Sequence, residues 1–273
     1  MLSYRDEGVD QQVWILHVNN VAGVPSLLVQ GLRQNGIKAD LVGRIRNPYG
    51  FPHETIIDVP AMVFSFRLLR LSRDYSILHF HGLPYRVFNV DIFALKALGT
   101  KLVIHLHGTE IRNSHNKLST RVALKICNKV LVGTTDLLSY CPRAVWLPTP
   151  IDPVFKPLNN PQRYGKALYF KKWYEPEKED WVRKECEKMG LKLTVQRKPI
   201  PYRQMHRFLN QFEVFFDRFT IPSLSKTALE ALACRCKVVS WKGSVTNPKE
   251  ILKNHSLSVI TKRLIRIYEE ILG

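Results

Sequence analysis

The chain lacks the features of a membrane-spanning, secreted or disulfide-bonded protein. Its longest apolar stretches, such as residues 60–66, fall far short of the roughly 20 residues that cross a bilayer. The opening Met1-Leu2-Ser3-Tyr4-Arg5-Asp6-Glu7 has no apolar signal core, so a cytoplasmic protein is expected. Five cysteines are scattered, Cys234 and Cys236 are one residue apart, and no Cys-x-x-Cys exists. That excludes a zinc knuckle and a disulfide framework and reads as reduced, buried thiols. No Asp-x-Asp pair is present to hold a divalent cation, and no solenoid repeat or low-complexity tract breaks the chain. Acidic residues are scarce: 23 Asp and Glu stand against 41 Lys and Arg in 273 residues, a net charge of +18. Residues 1–155 hold 17 basic and 11 acidic residues, and residues 156–273 hold 24 and 12, so the excess gathers toward the C-terminus. A field of that sign favours anionic partners: nucleotide diphosphates, phospholipid headgroups or nucleic acid.

What is present is an α/β pattern. Short apolar runs alternate with helical periodicity, as in βαβ units around parallel sheets. Runs 13–18, 39–43, 77–81, 101–107, 130–133 and 144–147 read as strands, with helices over 24–34, 59–73, 88–98 and 118–127. Pro148, Pro150, Pro153, Pro157 and Pro161 then fall within fourteen residues, too dense for a helix or central strand and suited to an interdomain linker. The pattern restarts with strands 167–170, 191–196, 214–216 and 237–240 and helices 176–189, 202–210, 224–233 and 261–272. The expectation is two Rossmann-like lobes with parallel sheets, residues 1–155 and a small C-terminal lobe of residues 156–273, whose terminal helix can pack back on the first.

Ligands of open α/β sheets bind beyond the carboxyl ends of the strands. In the first lobe those ends carry the turn Asn19-Asn20-Val21-Ala22-Gly23, the pair His79 and His81, and the pair His105 and His107 followed by Gly108. His107 stands where strand gives way to loop and can donate to an anion or hydroxyl near neutral pH. The four histidines raise a zinc site, but no Asp or Cys adjoins them in sequence, and they are read as hydrogen-bonding groups with no metal assigned. In the second lobe Ser223 and Ser225 are candidate caps of a helix that begins Lys226-Thr227 and carries Glu230 in an otherwise apolar run. Glu230 lies one turn from Lys226, and is read as a paired carboxylate that binds hydroxyls.

The segment Leu229-Glu230-Ala231-Leu232-Ala233-Cys234, followed by Lys237-Val238-Val239, resembles a signature of the retaining glycosyltransferases of family 4. So do His107-Gly108, Asp217 at the end of Val214-Phe215-Phe216, and the run from Trp146 to Pro157 with its Pro148, Ile151-Asp152, Phe155 and Pro157. Pro222 stands where the family has a second Glu, Arg235 where Gly is usual, and Lys237 where Pro is usual. The resemblance implies a GT-B fold and a transferase that takes a sugar from a nucleotide-sugar, with no other cofactor and no metal. His107 and Asp217 would be catalytic. Gly23, Lys171, Lys172, Ser225, Lys226, Thr227 and Glu230 would bind the donor, Glu230 through the ribose and the lysines through the diphosphate. Retention without a protein nucleophile implies that the leaving phosphate assists the acceptor hydroxyl, and the acceptor would be a glycan or a lipid-linked molecule.

Two other features bear on partners. Residues 59–73 place Phe64, Phe66, Leu68, Leu69 and Leu71 among Arg67, Arg70 and Arg73, a basic amphipathic helix suited to peripheral contact with an anionic membrane. The run Tyr169-Phe170-Lys171-Lys172-Trp173-Tyr174 interleaves aromatic and basic residues, a pattern that nucleic-acid binding also uses. A basic nucleic-acid-binding or catalytically silent protein with the same fold is the alternative reading.

Overall fold

The computed structural model describes residues 3–6, 9–83, 90–172, 174–175, 177–241, 243–245 and 248–273. The chain divides into two compact units. Met1–Asn47, Phe51–Pro150 and Leu257–Gly273 form the first, and Pro48–Gly50 with Ile151–Ser256 the second.

The first unit opens with an antiparallel pair, β1 (Ser3–Asp6) and β2 (Val9–Gln12). Its main sheet contains β3 (Trp14–Val18), β4 (Lys38–Gly43), β5 (Glu54–Ile56), β6 (Ile77–His81), β7 (Lys101–Leu106), β8 (Lys129–Val132) and β9 (Val145–Trp146). All seven run parallel in the order β5-β4-β3-β6-β7-β8-β9, and the order reverses direction at β3 and β6. Both faces are covered, so the central strands β3, β6 and β7 place apolar residues on each side, interrupted by histidines on one of them. On one face α1 (Val24–Gln34) contributes Leu28, Val29 and Leu32 over Ile15, Ile77, Val103 and Leu131. On the other, α2 (Ala61–Leu71), α3 (Val90–Ala97) and α5 (Leu118–Ile126) cover Leu16, Leu78, Leu102 and Ile104. The short α4 (Thr109–Arg112) follows β7 directly.

The second unit is a five-stranded sheet of β10 (Lys166–Phe170), β11 (Lys192–Gln196), β12 (Val214–Phe216), β13 (Lys237–Ser240) and β14 (Gly243–Ser244), in the order β11-β10-β12-β13-β14. Four strands are parallel as expected. β14 pairs antiparallel with β13, because only two residues separate them and a parallel crossover needs about a dozen. Helices α6 (Lys178–Lys188), α7 (Tyr202–Leu209), α8 (Lys226–Ala233) and α9 (Pro248–Asn254) complete it. The proline-rich stretch is no free tether: Ile151 and Phe155 are buried in this unit's core, and the Ile151 amide donates to His255 O at 2.9 Å. The chain thus enters the second unit at Ile151, ahead of the residue-156 boundary read from the prolines.

The last helix, α10 (Leu257–Leu272), belongs to the first unit and buries Ile260, Leu264, Ile267 and Tyr268 beside α1. The two helices cross closely where α1 has Gly31: a Cβ there would lie 2.1 Å from Thr261 Oγ1.

Candidate functional site

In the second unit the candidate residues gather beyond the carboxyl ends of β10 and β12. Lys171 and Lys172 follow β10, and alternation sends them apart. Lys171 keeps 45% of its side chain exposed and pairs with Glu179 at 3.4 Å, a carboxylate also held by Arg183 and Arg197. Lys172 turns inward. Only 13% of its side chain is exposed, and its Nζ stands 3.8 Å from Asp217 Oδ1 and 5.2 Å above the Tyr169 ring. It has no hydrogen-bond acceptor among the described residues. Burial pushes its ammonium below the usual lysine range, and Asp217 and Glu175 pull it back up.

Asp217 is fully buried at the end of β12. It accepts from the Ser225 amide at 2.8 Å and from Ser225 Oγ at 2.6 Å. The Ser225 hydroxyl in turn caps α8 by accepting from the Ala228 amide at 3.1 Å. Asp217 therefore fixes the start of α8 and balances Lys172. These bonds suit a positioning residue rather than a group that meets the reacting atoms. The next turn carries Thr227 and the ion pair of Lys226 with Glu230, whose side chains are 10% and 4% exposed. Lys226 Nζ lies 4.8 Å over the Tyr202 ring, and the Tyr202 hydroxyl donates to Asp152 Oδ2 at 3.0 Å. Burial raises the Glu230 carboxyl above its usual range while Lys226 holds it down.

The structure thus brings together Lys172, Asp217 and Ser225, and sets Lys226, Thr227 and Glu230 along the next helix, while Lys171 is drawn off to Glu179. Sequence reasoning missed Glu175. This fully buried carboxylate accepts from the Phe219 amide at 3.1 Å and the Thr220 amide at 2.8 Å. It ties down the loop that leaves Asp217, and Arg218 closes the same loop by donating to Ser223 O at 2.8 Å. Its only signal was a Glu three positions after Lys172 in an acidic stretch.

In the first unit Gly23 opens α1 with φ 72°, and a Cβ there would lie 2.4 Å from the Phe51 ring. Both observations explain a glycine without invoking a ligand. The histidines do more than the sequence suggested. Parallel register sets His17 beside His79 and His81 beside His105, and the two-residue alternation places all of these on the face covered by α1 and α10. His107 extends the row just past β7. His17 was missed, although it sits at the equivalent depth of its own strand. The rings stack with centroids 4.4–5.5 Å apart.

Their nitrogens form a chain. His107 Nε2 meets His81 Nδ1 at 3.0 Å, His81 Nε2 meets His17 Nδ1 at 2.9 Å, His17 Nε2 meets the Tyr268 hydroxyl at 3.3 Å, and that hydroxyl meets His79 Nδ1 at 2.6 Å. His105 sits beside this chain, fully buried, with neither ring nitrogen bonded to any described residue. Burial holds all five imidazoles neutral. His17 falls to about 3 and His107 to about 4, while His79, His81 and His105 lie well below the usual histidine range. His107 therefore acts as a neutral imidazole. One nitrogen is engaged with His81 and its backbone amide donates to Glu110, which leaves Nδ1 for a ligand. The loop beyond turns at Gly108, with φ 151° and ψ −91°, a conformation that side chains resist.

The surface helix α2 is amphipathic, with a different apolar face from the one expected. Phe64 and Leu68 are core residues; the exposed apolar side chains are Met62, Val63 and Phe66, with Phe93 and Leu98 of the neighbouring α3 region. Arg67, Arg70 and Arg73 are exposed beside them. In the aromatic-basic run 169–174, Tyr169 is fully buried and Phe170 packs on Phe208 and Phe215, Tyr174 is exposed, and Trp173 lies outside the described residues. No helix among the described residues is long and apolar enough to cross a membrane.

No family model matches the chain, and no curated protein matches it in sequence. Solved structures do match in fold. HepE of Anabaena, in complex with UDP and glucose, superposes with a TM-score of 0.64 at 10% identity, over 94% of this chain and 100% of that one. A glycosyltransferase from Rickettsia africae gives 0.59 at 10% identity, over 96% and 99%. An α-glucosyltransferase in complex with UDP-glucose and DNA containing an abasic site gives 0.56 at 13% identity, over 96% and 90%. The chain carries the GT-B fold that these glycosyltransferases share.

Proposed function

We propose that the protein is a glycosyltransferase that moves a sugar from a nucleotide-sugar donor to an acceptor hydroxyl. The observation that carries this reading is Lys172: a buried ammonium beyond the end of a parallel strand, with no hydrogen-bond acceptor among the described residues, beside the capped start of α8. Asp217 balances this ammonium from 3.8 Å without a hydrogen bond of ordinary length, and the diphosphate of a donor would supply closer acceptors. Asp217 and Glu175 hold the surrounding loop, and the first turn of α8 adds partial positive charge. Glu230, paired with Lys226, would take the ribose hydroxyls, and His107 Nδ1 a hydroxyl of the transferred sugar. HepE and the α-glucosyltransferase hold UDP or UDP-glucose, which makes UDP the first nucleotide to test.

The finer features rest on the family resemblance: membership near family 4, retention of configuration, and departure of the diphosphate without a divalent cation. Buried cations and helix amides can stabilise that leaving group electrostatically. A glycan or lipid-linked acceptor suits the exposed Met62, Val63 and Phe66 beside Arg67, Arg70 and Arg73, which fit peripheral contact with an anionic membrane. Sedimentation with anionic vesicles at low salt tests that contact; protein that stays in the supernatant removes it.

The deciding experiment is calorimetric titration and thermal shift with UDP and a panel of nucleoside diphosphates and nucleotide-sugars. At one hundred times its dissociation constant a ligand adds about 2.7 kcal/mol of stability. Lys172→Gln should lose most of that binding, with its far-UV circular dichroism compared with wild type because Asp217 loses its counter-charge. If no member of the panel binds the wild-type protein, or if Lys172→Gln binds as well as wild type, the reading fails.

A further inference from the structure

We propose that His81, His105 and His107 form a binding site for one transition-metal ion of the zinc class, in the first unit. The histidine chain can carry its ring protons in either direction, and one direction prepares a ligand. Let the Tyr268 hydroxyl donate to His79 Nδ1, His17 Nε2–H to the Tyr268 oxygen, and His81 Nε2–H to His17 Nδ1. Each imidazole from His81 to His79 is then neutral, the His79 Nε2–H is the one ring proton of the chain without an acceptor among the described residues, and His81 Nδ1 is left as a bare lone pair. That lone pair faces His107 Nε2 at 3.0 Å.

Beside the two stands His105, fully buried, with both ring nitrogens unpartnered among the described residues. One nitrogen from each of the three rings lies within 4.8 Å of the others. Tetrahedral zinc with bonds of 2.0–2.1 Å sets its nitrogens roughly 3.3 Å apart, so the three rings need only small rotations to converge.

Three further features agree. Metal-ligating imidazoles donate their other N–H to a fixed acceptor, and His81 does so to His17, backed by Tyr268 and His79. An all-imidazole set selects zinc, copper, cobalt or nickel over magnesium or calcium. His107 is half-buried at the strand end, which gives an ion a route in and leaves a fourth position open toward the loop at Gly108. The neighbouring trio His17, His79 and His81 is the less suited set, because His17 and His79 are already tied to Tyr268 and all three are fully buried.

The test uses the full chain, stripped with a chelator and titrated with Zn²⁺ alone and with Co²⁺ alone. Expected are one equivalent of bound zinc by elemental analysis and the intense visible bands of tetrahedral cobalt. His105→Ala should weaken zinc binding at least a hundredfold with its far-UV circular dichroism unchanged. His79→Gln should keep the metal. If the wild-type chain gives neither bound zinc nor tetrahedral cobalt spectra, the cluster is a hydrogen-bonded imidazole chain and the proposal is wrong, whatever any variant does. Full binding by His105→Ala, or loss of the metal in His79→Gln, overturns this ligand set. None of these readouts involves nucleotide or turnover, so their outcome is separate from that of the transferase reading.

Discussion

The two units share an α/β architecture and bury polarity in opposite ways. The first holds five neutral imidazoles and a phenol, four of the imidazoles joined with the phenol in one hydrogen-bonded chain across three strands and α10. The second holds ionised groups near their counter-charges: Lys226 with Glu230, and Lys172 near Asp217. A neutral chain asks only that each proton have an acceptor. A buried ion needs an opposite charge or a ligand, and removing one partner strands the other. Acid should therefore attack the first unit, and single charge deletions the second.

The largest expected effect is on acid stability. Each buried histidine has a folded pKa below the unfolded value of about 6.5. Below that pH the unfolded chain binds protons that the folded chain refuses. The stabilising contribution is therefore complete above about pH 6.5 and lost progressively as pH falls toward the folded values. Each histidine contributes a slope of about 1.4 kcal/mol per pH unit, so five together exhaust an ordinary stability of about 5–15 kcal/mol within a few units. Denaturant titrations followed by circular dichroism at pH 7.5, 6.5 and 5.5 should show a steep decline and unfolding near about pH 5. A flat profile down to pH 4 would mean that the imidazoles are protonated or hydrated in the folded chain, and the contrast between the units would collapse.

A smaller effect is expected in the second unit. Lys226→Met leaves Glu230 buried without its cation and should cost about 3 kcal/mol at neutral pH. The loss should shrink as pH falls, because a protonated Glu230 no longer needs the lysine. The double variant Lys226→Met/Glu230→Gln should recover most of the stability. If the double variant is as unstable as the single one, the cost lies in the packing of Lys226 against Tyr202 rather than in the stranded charge.

The difference between the units also explains what could be read from residues alone. Strand periodicity, the restart after the prolines and the cap at Ser225 are local signals, and each appears in the structure near its expected position. The pairing of Lys226 with Glu230 was legible as well, being a one-turn contact, though its burial was not. The histidine chain was half legible: alternation put His105 and His107 on one face, but His17 and Tyr268 enter through strand register and a helix that returns from the far end of the chain. The inward turn of Lys172 and outward turn of Lys171 depended on the path just after β10, and the role of Glu175 on a loop 44 residues away. On α2 the charged side was legible, while the choice of exposed apolar residues depended on which side met the sheet.

The smallest expected effect tests the end of α8. Arg235 takes φ 60° just after the helix cap at Cys234, and its amide donates to Leu232 O at 2.9 Å. This is the left-handed position that commonly ends a helix and favours glycine, the residue the family signature has there. Left-handed backbone costs a residue with a Cβ about 1–2 kcal/mol. Glycine gives back part of that gain through the greater freedom of its unfolded chain. The Arg235 side chain is exposed, so its loss removes little packing. Arg235→Gly should therefore stabilise by about 0.5–1 kcal/mol, a rise of roughly 1–2 °C in Tm for a chain of this size. Arg235→Val, β-branched at the same φ, should lower Tm instead. Scanning calorimetry of the three proteins decides it: if Gly and Val shift Tm in the same direction, backbone strain at this turn is not what sets the stability of α8.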